Sequence, residues 1–483
     1  MRNLQHVGLI SAVALLLGGC SLQPLYQRPP APVAARYPAV IGEPSQVATP
    51  ARPSAADTGW RDFFTDERLQ QLVQMALRNN RDLRIAVLNV ATVQAEFHIQ
   101  RSEQFPQVTV DAQGARSRTP VSLVQSGKPV VAQSVTASVS VAWEVDLFGR
   151  LQSLSDAAFE QYLASAHARQ AAEILLVSQV AKQYFAVLSL DEQLDVTRNT
   201  FEASSGALEL VQRRFEVGTA SDLDLSQAQT IVEQARGNEA EQVRLLAAAR
   251  NALVLLLGQP LPSTLPDPVP LAAQALRDDL PAGLPSDLLA QRPDILEAEA
   301  QLRSYNADIG AARAAFFPRI ALTGSFGSAS SALGGLFGAG SGAWSFVPAM
   351  VAPIFDAGAN RANLDAAKSR EAVAVARYEK VIQIAFREVA DGLAARTAFN
   401  EQLIAAQRLA DAQARRVHIA QVRYESGLDG YLNVLSAQTD FYNASLTLVM
   451  VRERRLESLA DLYRSLGGGW VRDTGETRRV VGK

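Results

Sequence analysis

The sequence states one long unit twice, at an offset of about 210 residues. Phe215-Glu216-Val217-Gly218 returns as Tyr424-Glu425-Ser426-Gly427. At the same shift, Leu223 falls on Leu432, Ala228-Gln229 on Ala437-Gln438, and Leu257-Gly258 on Leu466-Gly467. Upstream, Asp82 and Phe105-Pro106 match Asp294 and Phe317-Pro318. Solenoid repeats recur every 20 to 50 residues or so, so a period this long marks duplication of a large structural unit. Each unit holds two strand-like stretches and several long helices. That is the plan of a half-barrel, which cannot stand alone. The first repeat occupies 57–258 and the second 286–467, with a linker at 259–285 and a C-terminal tail at 468–483.

The helical part of each repeat is free of proline, which is absent between Pro129 and Pro260 and after Pro353. Residues 150–217 and 359–426 are each compatible with one continuous helix on the order of 100 Å long, followed by partners at 221–258 and 430–467. In the second long stretch Val375, Tyr378, Ile382, Ala385, Val389 and Gly392 step by three and four, the seam of a coiled coil. Its many alanines let backbones approach closely on more than one face, which suits a curved wall of helices.

The other elements read with period two. Val135, Ala137, Val139, Val141, Trp143, Val145 and Leu147 alternate with Thr136, Ser138, Ser140, Ala142, Glu144 and Asp146. Strands are expected at about 106–119, 130–147, 318–328 and 343–356, with Pro348 and Pro353 weakening the last. Such alternation fits a membrane-crossing strand or a soluble β-sandwich with one wet face. Counting constrains the membrane reading. Four strands cannot close on themselves, an open edge is not tolerated in lipid, and small bacterial barrels need at least about eight strands. Three copies would supply twelve.

The N-terminus carries an address. Arg2 precedes an apolar core at 7–17, too short to span a bilayer, and Leu17-Gly18-Gly19-Cys20 follows. Residues 1–19 thus read as a signal peptide, with Cys20, the one cysteine of the chain, either a lipidation site or a stray residue after an ordinary signal. Residues 20–56 are rich in proline and alanine and read as an extended strap leading from that anchor.

Several function classes find no support. Charged residues make up 20% and the formal net charge is −3, so no electrostatic footprint for nucleic acid exists. Gly338-Ala339-Gly340-Ser341-Gly342 lacks the Lys-Ser/Thr of a phosphate loop and fits an exposed hairpin loop. His6, His98, His167 and His418 are scattered, and no catalytic set, metal spacing or cofactor motif appears.

The lipobox-like Leu17-Gly18-Gly19-Cys20, Tyr26-Gln27-Arg28-Pro29, Gly59-Trp60-Arg61-Asp62-Phe63-Phe64, Glu144-Val145-Asp146-Leu147-Phe148-Gly149-Arg150 and Leu288-Leu289-Ala290-Gln291-Arg292-Pro293-Asp294-Ile295 together resemble the outer-membrane factor (TolC-like) family, and within it the OprM-type efflux lipoproteins. The likeness runs from Cys20 to about Trp470. It implies an α+β membrane protein: a homotrimer with a shared twelve-stranded β-barrel, four strands per chain, and a long periplasmic α-helical barrel. It implies a lipid on Cys20, location in the outer membrane of a Gram-negative bacterium, and two partners, a periplasmic adaptor and an inner-membrane RND transporter. The function implied is efflux of antibiotics and other small toxic compounds. A type I protein-secretion channel and a pore-less lipid-anchored scaffold are the alternatives.

The same resemblance makes Gly218, Thr219, Ala220, Ser221 and Asp222, with Gly427, Leu428 and Gly430, the tips that contact the adaptor. Gly218 and Gly427 suit left-handed helix ends, and Ser221 reads as an N-cap with Asp224 at the capping-box position. In the family pattern the residue at Asp224 bonds the tyrosine at Tyr424 and latches neighbouring helices, so cap and latch are both open to it. The pattern also places aspartates at Asn433 or Ser436, an arginine at Asp429 and an apolar constriction at Leu432. A ring of carboxylates would repel itself and attract cations, which the neutral Asn433 and Ser436 do not. Closure is therefore expected from Leu432 and a Tyr424–Asp224 bond.

Overall fold

A computed structural model describes residues 21–38, 54–123, 128–277, 280 and 285–474. Cys20, the signal peptide, and parts of the strap, linker and tail lie outside the described residues. In chain order the elements are α1 (Trp60–Phe63), α2 (Glu67–Asn79), α3 (Arg81–Ser102), β1 (Gln107–Thr119), β2 (Val130–Val145), α4 (Arg150–Glu216), α5 (Asp222–Leu257), α6 (Pro285–Gln291), α7 (Pro293–Ala314), β3 (Arg319–Ser330), β4 (Gly342–Val351), α8 (Ala359–Glu425) and α9 (Tyr431–Ser465). The long helices α4 and α8 have 67 residues each, and α3 and α7 have 22 each.

The chain forms two compact units that cut across the two sequence repeats. One takes the described residues of 1–30, 89–165 and 297–379, the other those of 31–88, 166–296 and 380–483. Each unit therefore needs both repeats to be complete.

The first unit contains one antiparallel sheet in the order β1-β2-β3-β4. Its register sorts side chains by face. Val110, Val139, Phe326 and Trp344 line up across all four strands, flanked by Val108, Val141 and Phe346. One residue out of step, Thr109, Ser140, Ser325 and Ser345 form a polar row, with Ser325 and Ser345 hydroxyls 2.8 Å apart. The apolar face is bare within the chain, Val110 being 80% and Trp344 77% exposed. A wet sandwich would bury that face, whereas a membrane strand turns it to lipid. β4 stops at Val351, short of the expected 356, because Pro353 cannot donate to a ladder. Pro348 stays within β4, which an edge strand tolerates.

Strand and helix are joined the same way in both repeats. The Asp146 carboxylate accepts from the backbone N–H of Arg150 (2.7 Å) and Gln152 (2.8 Å), and Asp356 accepts from Gly358 and Asn360 (both 2.9 Å). Each acid satisfies free donors at the start of a long helix. Arg150 then grips Glu144 with two bonds of 3.0 and 2.9 Å.

The strap lies along α7. Leu22 and Pro24 carbonyls accept from Arg313 (3.1 Å) and Asn306 (3.0 Å). Farther on, the Tyr26 hydroxyl (3.2 Å) and the Arg28 guanidinium (3.0 and 2.7 Å) donate to Glu299. The distances agree: six extended steps cover about 19 Å, and fourteen helical steps about 21 Å. Gly310 permits this approach, since a Cβ there would stand 2.9 Å from the Gln23 Cα. The Glu299 side chain is 3% exposed and also takes Arg303 at 2.8 Å. Burial, then the Glu299 charge, push the Tyr26 hydroxyl up to about 12, so it remains a donor at neutral pH.

In the second unit Phe63 stacks on Tyr463 at 4.1 Å and meets Phe64 edge-on, all three fully buried. Asp66 caps α2 and accepts from Tyr184 (2.8 Å) and Gln274 (2.6 Å). Arg292, 5% exposed, is held by Asp294, Glu388 and the Ser465 carbonyl. The α8 seam buries Tyr378, Ile382, Ala385 and Val389 as its spacing requires, but Ala374 and Leu393 take the end positions assigned to Val375 and Gly392. Gly392 instead lets Leu462 close in, a Cβ there falling 3.0 Å from the Leu462 Cδ1.

Replacing Glu299 with alanine should release the strap, because bonds to a charged group contribute roughly 1.5–3 kcal/mol each. Chymotrypsin cleavage after Tyr26 should then accelerate at least tenfold; an unchanged rate would mean that the strap is held elsewhere.

Candidate functional site

The ends of the two long helices are built on one template. Helix α4 closes with Gly218 at φ +77, the Gly218 N–H bonding the Phe215 carbonyl (2.9 Å) and the Thr219 N–H the Arg214 carbonyl (2.8 Å). Helix α8 closes with Gly427 at φ +73, bonded to Tyr424 (3.0 Å), while Leu428 bonds Arg423 (2.9 Å). These are Schellman turns, which satisfy the orphan carbonyls of a helix end and require a left-handed residue.

The helices that restart differ. Ser221 caps α5, its hydroxyl accepting from the Asp224 N–H (3.1 Å) while the Asp224 carboxylate accepts from the Ser221 N–H (3.0 Å) and Oγ–H (2.7 Å). Asp224 thus completes the capping box despite being shorter than the usual Glu or Gln. At the corresponding place α9 starts on Gly430, which has no side chain to cap with.

The two ends share one core. Val211, Ala228, Ala420, Tyr431, Val434, Leu435 and Ala437 are buried together, with Ala220 and Tyr424 packed against them. The structure brings Tyr424 and Asp224 into the same neighbourhood but forms no bond between them among the described contacts. The Asp224 carboxylate is engaged by Ser221, and the Tyr424 ring lies against Tyr431 at 5.2 Å and under the Arg214 guanidinium at 4.8 Å. Tyr431 sits beside both, and burial, then Tyr424 and Asp224, push its hydroxyl up to about 12.

Asp429, which stands where an arginine was expected by resemblance, has its own partner. Arg423 reaches it with bonds of 2.6 and 3.1 Å and holds its carboxyl below the usual range. The remaining positions expected at the gate form one open strip on α9. Leu432 is 62% exposed, and Asn433 and Ser436 are exposed beside it. Ser436 is neutral but not remote from charge: Arg416 reaches its hydroxyl at 3.3 Å and pairs with Asp440 at 2.5 Å. Gly218, Thr219, Ser221, Asp222, Gly427, Leu428 and Gly430 are exposed, and Ala220 is half-buried in the shared core.

Arg214, Arg423, Tyr431 and Arg416 were missed by the sequence reading. Arg214 and Arg423 carry a signal, since they match at the repeat's own shift and lie in helix last turns, where cations are favoured. A cavity of about 420 Å³ opens between α4, α5 and α9, lined by Thr197, Gln242, Gln438 and Tyr442 among others. The Gln242 and Gln438 carbonyl oxygens are buried there without a partner, so the space is suited to water.

Gly218→Ala and Gly427→Ala should each destabilise their turn by about 1–2 kcal/mol, the cost of a left-handed L-residue. Nothing lies within 4 Å of either added Cβ, so no clash contributes. Faster hydrogen exchange at the Thr219 and Leu428 amides would report it. Gly430→Ala, at φ −75, should show no such strain.

Comparison with known proteins places this arrangement. The family described as outer membrane efflux protein matches residues 72–259 and 284–468, once per repeat. The antibiotic efflux pump outer membrane protein ArpC of Pseudomonas putida is 45% identical over 472 residues, covering 97% of each chain. The solvent efflux pump outer membrane protein SrpC, also of Pseudomonas putida, is 46% identical over 461 residues, covering 94% of this chain and 97% of its own. Among solved structures, the open state of the MtrE outer membrane channel of Neisseria gonorrhoeae superposes with a TM-score of 0.84 at 37% identity, over 94% of this chain and 100% of that one.

Proposed function

Because the chain belongs to the outer membrane efflux protein family, we propose that it serves as the outer-membrane channel of a tripartite efflux pump of the RND type, passing antibiotics and organic solvents outward as a homotrimer. The observation that carries this reading is the sheet: four strands with one bare apolar face, a polar opposite face and two unpaired edges. In lipid an open edge is untenable, and three copies joined β1 to β4 would give a twelve-stranded barrel with its polar face inward.

The substrates follow from the relatives, which are named for antibiotic and solvent efflux. The adaptor would meet the turns at Gly218 and Gly427, where Val217 and Leu428 are 74% and 67% exposed. Cys20 would carry the lipid, and energy would come from the inner-membrane transporter. Closure would rest on Leu432 at the constriction, with Arg423–Asp429 and the Arg214–Tyr424–Tyr431 stack setting the angle of the tips.

Deleting the gene in its native host should raise intracellular accumulation of a fluorescent efflux dye several-fold, and complementation should restore it. Unaltered accumulation, with a change in secreted proteins, would point to protein export instead.

The constriction is tested separately. Leu432→Ala should raise resting conductance in planar bilayers well above wild type, while Ser436→Ala, which removes only a 3.3 Å contact from Arg416, should leave it nearly unchanged. Equal effects would remove Leu432 from the gate.

A further inference from the structure

β1 outlasts the apolar part of its face, and what it carries there is cationic. Counting rows across the sheet from Val145–Ile320–Met350, the apolar and small side chains of this face continue to Gly114–Val135–Ser330. The ten steps of β2 between these rows rise about 34 Å along the strand, or about 26 Å along the membrane normal at the tilt usual for barrels. That is the height of an outer-membrane apolar band, about 25 Å. The next two positions of β1 on this face are Arg116, opposite Gln133, and Arg118, opposite Val131. They stand about 5 and 10 Å beyond the band, at the end of the sheet that carries the 120–129 and 331–341 connections.

Both arginines are exposed, and neither guanidinium is paired among the described residues. The acidic residue of β1, Asp111, lies on the polar face with Thr109. Two unpaired guanidiniums at i and i+2, just above a lipid-facing band, match the chemistry of phosphate, which arginine binds through two parallel N–H bonds.

We propose that Arg116 and Arg118 form a binding site on the outer wall of the sheet for the phosphate groups of the phosphorylated glycolipid in the outer leaflet. The inference rests on the channel reading only in placing this sheet in the outer membrane. β1 is a sheet edge, so in a closed barrel each site would lie at a seam between copies, where bound lipid would resist their separation.

The test uses the full-length protein in phosphatidylcholine nanodiscs, titrated with bisphosphorylated lipid A, with the same lipid A stripped of its phosphates, and with millimolar inorganic phosphate. Native mass spectrometry counts retained lipid, and the temperature at which the oligomer dissociates reports the seam. The wild type should retain bisphosphorylated lipid A and dissociate at higher temperature with it, but not with the other two. Arg116→Gln/Arg118→Gln should weaken retention on the order of tenfold, and Arg116→Lys/Arg118→Lys, which keeps the charges but not the paired N–H bonds, should fall between that variant and the wild type. Equal retention of the stripped lipid by the wild type, undiminished retention by the glutamine variant, or equal protection by inorganic phosphate would each overturn the proposal. Planar-bilayer conductance of the same preparations separates the two readings: a protein that conducts but ignores the phosphates removes this site and leaves the channel standing.

Discussion

The unpaired edges of the sheet are the constraint from which the rest of the architecture follows. β1 and β4 each pair on one side only, and every unsatisfied backbone group in hydrocarbon costs several kcal/mol. Among the described residues the chain has no further strand to offer, so stability in the membrane must come from other copies. This explains why the repeats are halves rather than domains. Each contributes one hairpin, β1–β2 or β3–β4, and each hairpin hands over to a long helix under an aspartate, Asp146 or Asp356. The compact units then draw on both repeats, so neither repeat is a folding unit with a core of its own.

Duplication also explains how the tips came to differ. Gly218 and Gly427 keep the same turn because only the backbone is at stake there. Where side chains do the work, the copies have parted. Arg214 covers Tyr424, while its counterpart Arg423 pairs with Asp429. Ser221 caps its helix through Asp224, while the counterpart Gly430 caps nothing. Such divergence is expected once two identical units face each other, since one position then meets two environments.

That history sets what could be read from the sequence. The strands were legible from period-two alternation and the long helices from proline-free runs, both local properties. The α8 seam was legible at Tyr378, Ile382, Ala385 and Val389, and slipped at its ends because helix packing there follows neighbours rather than heptads. The capping box was legible because Ser221 and Asp224 are three residues apart. The Tyr424–Asp224 latch was inferred from resemblance alone; within one chain Ser221 takes the Asp224 Oδ2 and no periodicity bears on the tyrosine. The pairing of Arg416 with Asp440 and the strap's hold on Glu299 join residues 24 and 271 positions apart, and no periodicity reports such contacts.

Magnitudes explain why these interactions are distributed as they are. Glu299 is buried and takes three donors, and Asp66 takes backbone and side-chain donors in a buried core; leaving such a carboxylate unmatched costs several kcal/mol. The pairs around Leu432 are of another kind. Arg423–Asp429 and Arg416–Asp440 have arginines 50% and 48% exposed, and pairs in water contribute about 0–1 kcal/mol each. A partner protein that makes a few contacts at the tips could therefore break them and be repaid, whereas no comparable contact would dislodge the strap or the aromatic core. The weak pairs sit at the proposed gate, where low stability suits movement, and the strong ones where the chain is held together.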